Sequence, residues 1–179
     1  MRIIHYLSWI FFFVILTFNI YKYVDLNYVE RIPCKFVQLQ FVNSLEGTDL
    51  LNKWCVTATH HDTTLLQEAV LNTQWDFLFI LSYISLLIIV SYNQMQRERS
   101  PSLNNLLRLN FPLAIITGLL DTTENCILLD DMKPYHIGSS YHSSYWVSLP
   151  KFILAAWILL VWLVSLIKSK TRPSPPYWN

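Results

Sequence analysis

The chain has 179 residues, of which 53% are hydrophobic, 15% aromatic and only 14% charged, with a net charge of +1. A water-soluble domain carries about 25% charged residues, so the composition excludes an ordinary soluble domain. The near-neutral balance, with no basic patch interleaved with aromatics, excludes a nucleic-acid partner. Four apolar runs, at about 4–21, 75–92, 111–129 and 150–167, instead approach the roughly 20 residues that cross a bilayer. They predict an all-α fold: a four-helix transmembrane bundle, one integral membrane domain over 1–179 with membrane lipid as its surroundings.

The first run follows Arg2 and extends over Trp9 and Phe11–Phe13. No small-x-small cleavage site precedes Lys22, which favours a retained signal-anchor helix over a removable signal peptide. The 22–74 segment is too apolar for a solvated loop, since Phe36, Val37, Leu39, Phe41, Val42, Leu45, Leu50, Leu51 and Trp54 need burial. It predicts a small helical cap over the helix ends, with Thr48 of Gly47-Thr48 capping a short helix through about Val56. Phe36–Val42 reads equally as a short strand or a turn of helix. Thr64-x-x-Gln67 is a capping box, and no Pro or Gly follows until Pro101, so one helix is expected from about Thr63 to Arg97. Asn110 with Pro112 predicts the start of the third span, and Ser148 with Pro150 the start of the fourth. The tail, 168–179, ends in a Pro-rich extended segment.

Orientation follows from basic residues in the flanks. Arg97, Arg99 and Arg108 lie in the 93–110 connection, and Lys168, Lys170 and Arg172 in the tail. Asp25, Glu30, Glu46, Asp49, Asp62, Glu68, Asp130 and Asp131 stand in the 22–74 and 130–149 segments, against Lys22, Arg31, Lys35, Lys53 and Lys133. Both termini are therefore expected in the cytoplasm, and the cap outside.

The third span carries Asp121, Glu124 and Asn125 in mid-run. An Asp at a helix centre costs roughly 2.5–3.5 kcal/mol on insertion scales. At i, i+3 and i+4 the three share one face, which must turn into the bundle. Counted from Leu129, Glu124 lies roughly 7–8 Å deep and Asp121 roughly 12 Å. The second span enters at Asp76, and Tyr83, seven residues on, lies on the same face at roughly 10 Å. An outward-opening acidic pocket formed by Asp121, Glu124, Asn125 and Tyr83, with Asp76 at its rim, accounts for all five residues. No Lys or Arg falls in the core of any span, so the expected partner is a proton, a cation, or a small or lipidic ligand. The alternative is polar adhesion between helices.

Asp76-Phe-Leu-Phe79 with Tyr83, the upstream Trp54, and Asp121-x-x-Glu124-Asn125 resemble a pattern of small four-span bacterial membrane proteins, W…DFLF…Y…D-x-x-E-N. The likeness covers roughly 36–129. It implies a bacterial inner-membrane location and marks residues, but carries no assigned activity.

Cys34 and Cys55 both fall outside the membrane, where a disulfide between them is one reading and two buried thiols the other. His60, His61, Asp62, Cys55, His136 and His142 have metal-ligand types but no structural zinc spacing, so no metal is expected. Tyr135, Tyr141, Tyr145, Trp146 and Trp75 predict an interfacial aromatic belt, while Trp157 lies at the depth of Tyr83. No phosphate loop, nucleophile elbow or metalloprotease motif is present, and no cofactor is implied. The expected function is ligand, cation or proton binding. The alternatives are a structural or accessory subunit with a protein partner or a second copy, and an intramembrane lipid-modifying enzyme using Glu124 and Asp121 as acid and base.

Overall fold

The computed structural model describes residues 2–30, 39–57, 64–133 and 141–171. Among these the fold is all-α, without strands. The helices are α1 (Arg2–Glu30), α2 (Ser44–Val56), α3 (Leu65–Met95), α4 (Pro101–Asp131) and α5 (Tyr145–Thr171). Thr64 and Gln67 close the expected capping box at the start of α3, the Gln67 N–H donating to Thr64 Oγ1 and the Thr64 N–H to Gln67 Oε1.

Several helix starts differ from expectation. Helix α2 begins at Ser44 with Asn43 as its cap, whose side chain accepts the Glu46 N–H. Thr48 is inside the helix, its hydroxyl bonded back to Ser44 O. Helix α4 starts at Pro101 behind Ser100, so Pro101 rather than Pro112 takes the first-turn position where a missing N–H costs nothing. Helix α5 starts at Tyr145, with Ser144 O receiving the N–H groups of Val147 and Ser148. Pro112 and Pro150 therefore both lie within helices. Of the Phe36–Val42 stretch, 36–38 fall outside the described residues.

Three helices, not four, are long and apolar enough to cross a membrane among the described residues: Leu65–Met95, Pro101–Asp131 and Tyr145–Ser169. The described apolar stretch of α1, Tyr6–Phe18, is shorter. Helix α3 packs on α4, α4 on α5, and α1 on α3. The connection between α3 and α4 is only 96–100, which makes them antiparallel neighbours. Phe12 of α1 meets Phe79 of α3 while Phe18 meets Trp75, so α1 also runs against α3. The N-terminal end of α1 and the C-terminal end of α5 consequently lie at the same end of the bundle.

The opposite end is closed by α2 and the segments beside it. Leu39, Val42, Leu51, Trp54, Leu65, Leu66, Ala69, Leu128, Met132 and Tyr141 form one apolar core there. Tyr141, expected in an interfacial belt, is buried instead, its hydroxyl donating to Leu39 O at 2.7 Å and its N–H to Thr48 Oγ1 at 3.0 Å. Burial pushes its phenol up to about 12. Gly47 is required by this packing, because a Cβ there would stand 2.2 Å from the Tyr141 ring. Tyr145, Trp146 and Trp75 remain exposed, and Tyr135 lies outside the described residues.

Helix α4 is inverted relative to a helix of a soluble protein, which turns its apolar stripe inward. Its buried positions include Asn110, Thr117, Asp121, Glu124, Asn125 and Asp131, with small Ala114 and Gly118 between them. Its exposed positions include Leu109, Ile115, Ile116 and Leu119. Helix α5 likewise exposes Leu159, Leu160, Leu163, Val164 and Ile167 while burying Ser148, Lys151 and Ser165. Apolar residues outward and polar residues inward suit a hydrocarbon solvent, where unpaired polar groups must find partners inside.

Candidate functional site

Asp121, Glu124 and Asn125 face inward from α4, as their spacing requires, and Asp76 and Tyr83 face them from α3. The Tyr83 hydroxyl donates to Asp121 Oδ2 at 2.9 Å. Asn125 Nδ2 donates to Asp76 Oδ2 at 2.7 Å. Four of the five expected residues are thus joined in two cross-helix pairs, Tyr83 with Asp121 and Asn125 with Asp76. Glu124 is fully buried and Asp121 is 8% exposed, while Asp76 and Tyr83 are half-buried.

A sixth residue alters the chemistry. Lys151 of α5 is 6% exposed, and its ammonium lies 2.6 Å from Asp121 Oδ1 and 2.5 Å from Glu124 Oε2. The first contact is a hydrogen bond. The second is an ion contact, and neither Glu124 oxygen receives a well-directed donor among the described residues. The Lys151 ammonium also stands 4.9 Å from the centre of the Phe152 ring, a favourable placement for a cation. The expectation that no lysine or arginine would serve the acidic pair is therefore corrected. With Pro150 read as the helix start, Lys151 falls at the membrane edge. Because α5 begins at Tyr145, Lys151 is six residues, or about 9 Å, along it. Ser144, Ser148 and Lys151, at i, i+4 and i+7, form a polar stripe on an otherwise apolar helix, and that stripe was the available signal.

The resulting constellation holds three carboxyl groups, one ammonium, one phenol and one amide. Asp121 is its hub, bridging Tyr83 on α3 and Lys151 on α5. If every group is ionised, the sum of three acids and one ammonium is −2. Such a site can hold a proton on one of its acids or attract a further cationic group. Trp157 is not part of it, since it is 43% exposed on the outer face of α5.

Other sequence candidates separate from the site. His142 pairs with Asp131 at the end of α4: its Nδ1 lies 2.7 Å from Oδ1, and its backbone N–H donates to Oδ2 at 3.0 Å. The hydrogen bond and charge of Asp131 raise the His142 imidazole above its ordinary value. His60, His61, Asp62 and His136 lie outside the described residues, as does Cys34, and with it the Cys34–Cys55 pairing. Among the described residues no group of His, Cys, Asp and Glu has the geometry to hold a metal ion.

A second polar layer, missed in the sequence, occupies the other end of the bundle. Gln94 Nε2 of α3 donates to Ser165 Oγ of α5 at 3.0 Å, and the Ser165 hydroxyl donates to Glu98 Oε2 at 2.5 Å. One turn deeper, Asn110 Nδ2 of α4 donates to Ser91 Oγ at 3.2 Å and to Ile158 O at 3.3 Å. No family model matches the chain, and no curated protein or solved structure shows significant similarity to it.

Proposed function

We propose that this is an integral membrane protein that takes up a proton or a small ammonium group at the Asp121–Glu124–Lys151 site. In this reading α1 is the fourth span, completing a four-helix bundle of a single domain. The α2 end is an extracytoplasmic cap, and both termini lie in the cytoplasm of a bacterial inner membrane. The observation that carries the proposal is the charge imbalance: Asp76, Asp121 and Glu124 share one lysine, and Glu124 is wholly buried. A carboxylate buried without its own counter-charge is costly, and binding a proton or cation offsets that cost. Lys151 then acts as a tethered cation, holding Asp121 and leaving Glu124 to exchange its partner.

A structural role is the second reading, favoured by the cross-helix bonds that already satisfy Tyr83, Asp121, Asp76 and Asn125. There the network fixes the register of α3, α4 and α5, and the protein serves as an accessory subunit whose partner meets the cap. Infrared difference spectra of the protein in lipid vesicles, recorded after pH steps, separate the two. Site loading predicts a protonated-carboxyl band that disappears in Glu124→Gln, and methylammonium should diminish it. Spectra unchanged by Glu124→Gln, Asp121→Asn and Asp76→Asn would refute loading and leave the structural role.

A further inference from the structure

The buried face of α4 remains polar well beyond the site. Asn125, Glu124, Asp121, Thr117 and Asn110 are all inward-facing, at relative positions 15, 14, 11, 7 and 0. They cover about 22 Å of a hydrocarbon layer that is about 30 Å thick. At Asn110 the polar line passes to Ser91 and Gln94 of α3 and to Glu98 in the connection after it, all buried. From Asp121 to Thr117 is about 6 Å along the helix, and from Thr117 to Asn110 about 10 Å. Neither interval holds another buried polar side chain of α4, and the second is the longer. There Leu87, Ala114 and Ile158 meet in one apolar contact contributed by all three helices.

An adhesive role alone leaves two features without a purpose. Asn110 is fully buried, yet its Oδ1 has no donor among the described residues, although its Nδ2 has two acceptors. An unpaired buried carbonyl is destabilising, and a water or a moving proton carrier would satisfy it. The second feature is the position of Asn110, directly across the apolar collar from Thr117.

We infer that the seam between α3, α4 and α5 is a proton path with two stations, the Asp121–Glu124 site and the Asn110–Ser91–Glu98 layer, closed by the Leu87–Ala114–Ile158 collar. This rests on the loading of the acidic site proposed above. A proton bound to a carboxylate of the outer station leaves it by breaking one O–H bond and forms another on the next acceptor. Glu98 is the last carboxylate on the line. The collar is too long for a direct hop and opens when water enters between Thr117 and Asn110.

The test uses the full chain in vesicles containing a pH-sensitive dye, with a potassium diffusion potential driving proton entry. Wild type should acidify the lumen faster than protein-free vesicles. Glu124→Gln should abolish the difference, Asn110→Leu and Ser91→Ala should each reduce it at least threefold, and Ile158→Ala should increase it by widening the collar. Circular dichroism and elution as a single detergent-solubilised species establish that each variant is folded. If Asn110→Leu fails that control, Ser91→Ala and Ile158→Ala decide. Proton entry no faster than in protein-free vesicles overturns the path, as does entry that the Ser91 and Ile158 variants leave unchanged. The carboxyl band of Glu124 distinguishes the two failures: if it persists without flux, loading stands and the path falls, and if it is absent, both fall.

Discussion

Replacing Lys151 with methionine keeps most of the length of the side chain but removes the one cation of the site. Two carboxylates that each lie within 2.6 Å of its ammonium then lose their counter-charge in the bundle interior. Removing one partner of a buried ion pair costs about 3–5 kcal/mol, because the other is left uncompensated. For a chain of this size each kcal/mol shifts the melting temperature by roughly 2–4 °C, so Lys151→Met should lower it by roughly 6–20 °C. The informative comparison is the rescue. Adding Asp121→Asn and Glu124→Gln to Lys151→Met replaces both stranded carboxylates with amides of the same shape, and the triple variant should recover more than half of the loss. The measurement is thermal unfolding in mild detergent, followed by tryptophan fluorescence. The ion-pair account is wrong if Lys151→Met lies within about 1 kcal/mol of wild type, or if the triple variant is no more stable than the single one.

The two buried glycines should respond differently to alanine. At Gly47 the new methyl would meet the Tyr141 ring at 2.2 Å, and that ring is pinned by its hydroxyl bond to Leu39. Gly47→Ala should therefore destabilise by about 1–3 kcal/mol. At Gly118 the obstacle is the flexible tip of Ile84, so Gly118→Ala should cost less in the same thermal assay. His142→Gln tests the clasp on Asp131. The imidazole is raised in the folded state, so its contribution is complete below the unfolded value of about 6.5 and fades as pH rises through the folded value. The variant should be less stable than wild type near pH 5.5 and approach it near pH 9, as measured by paired melting curves. The side chain is 68% exposed, so water screens the charge and the difference should stay within about 1 kcal/mol.

Helical phase made the acidic patch legible. Asp121, Glu124 and Asn125 at i, i+3 and i+4 have one common direction, and counting residues from the helix ends puts Tyr83 at their depth and Asp76 at the rim. The Thr64–Gln67 capping box likewise fixed the start of α3. What escaped the sequence depended on where helices begin in three dimensions. Pro150 and Pro112 carry a strong local preference for a first turn, but packing continues each helix N-terminal to its proline, and Lys151 moves inward as a result. The Asn110–Ser91 and Gln94–Ser165–Glu98 contacts join residues 19 to 71 positions apart, and no local pattern pairs them. In sequence the first helix reads as a span like the others. Its described apolar stretch is the shorter Tyr6–Phe18.

Helix α3 belongs to both ends of the molecule. Leu65, Leu66 and Ala69 at its start are part of the core under α2, while Asp76 and Tyr83, two to five turns further on, touch Asn125 and Asp121. No proline or glycine interrupts the 31 residues, so the helix is a stiff rod about 46 Å long. A ligand or protein that tilts the cap therefore tilts the rod, and with it the phenol that holds Asp121. The site carries a built-in lever arm, through which an event at the bundle's surface becomes a change in hydrogen bonding at its centre.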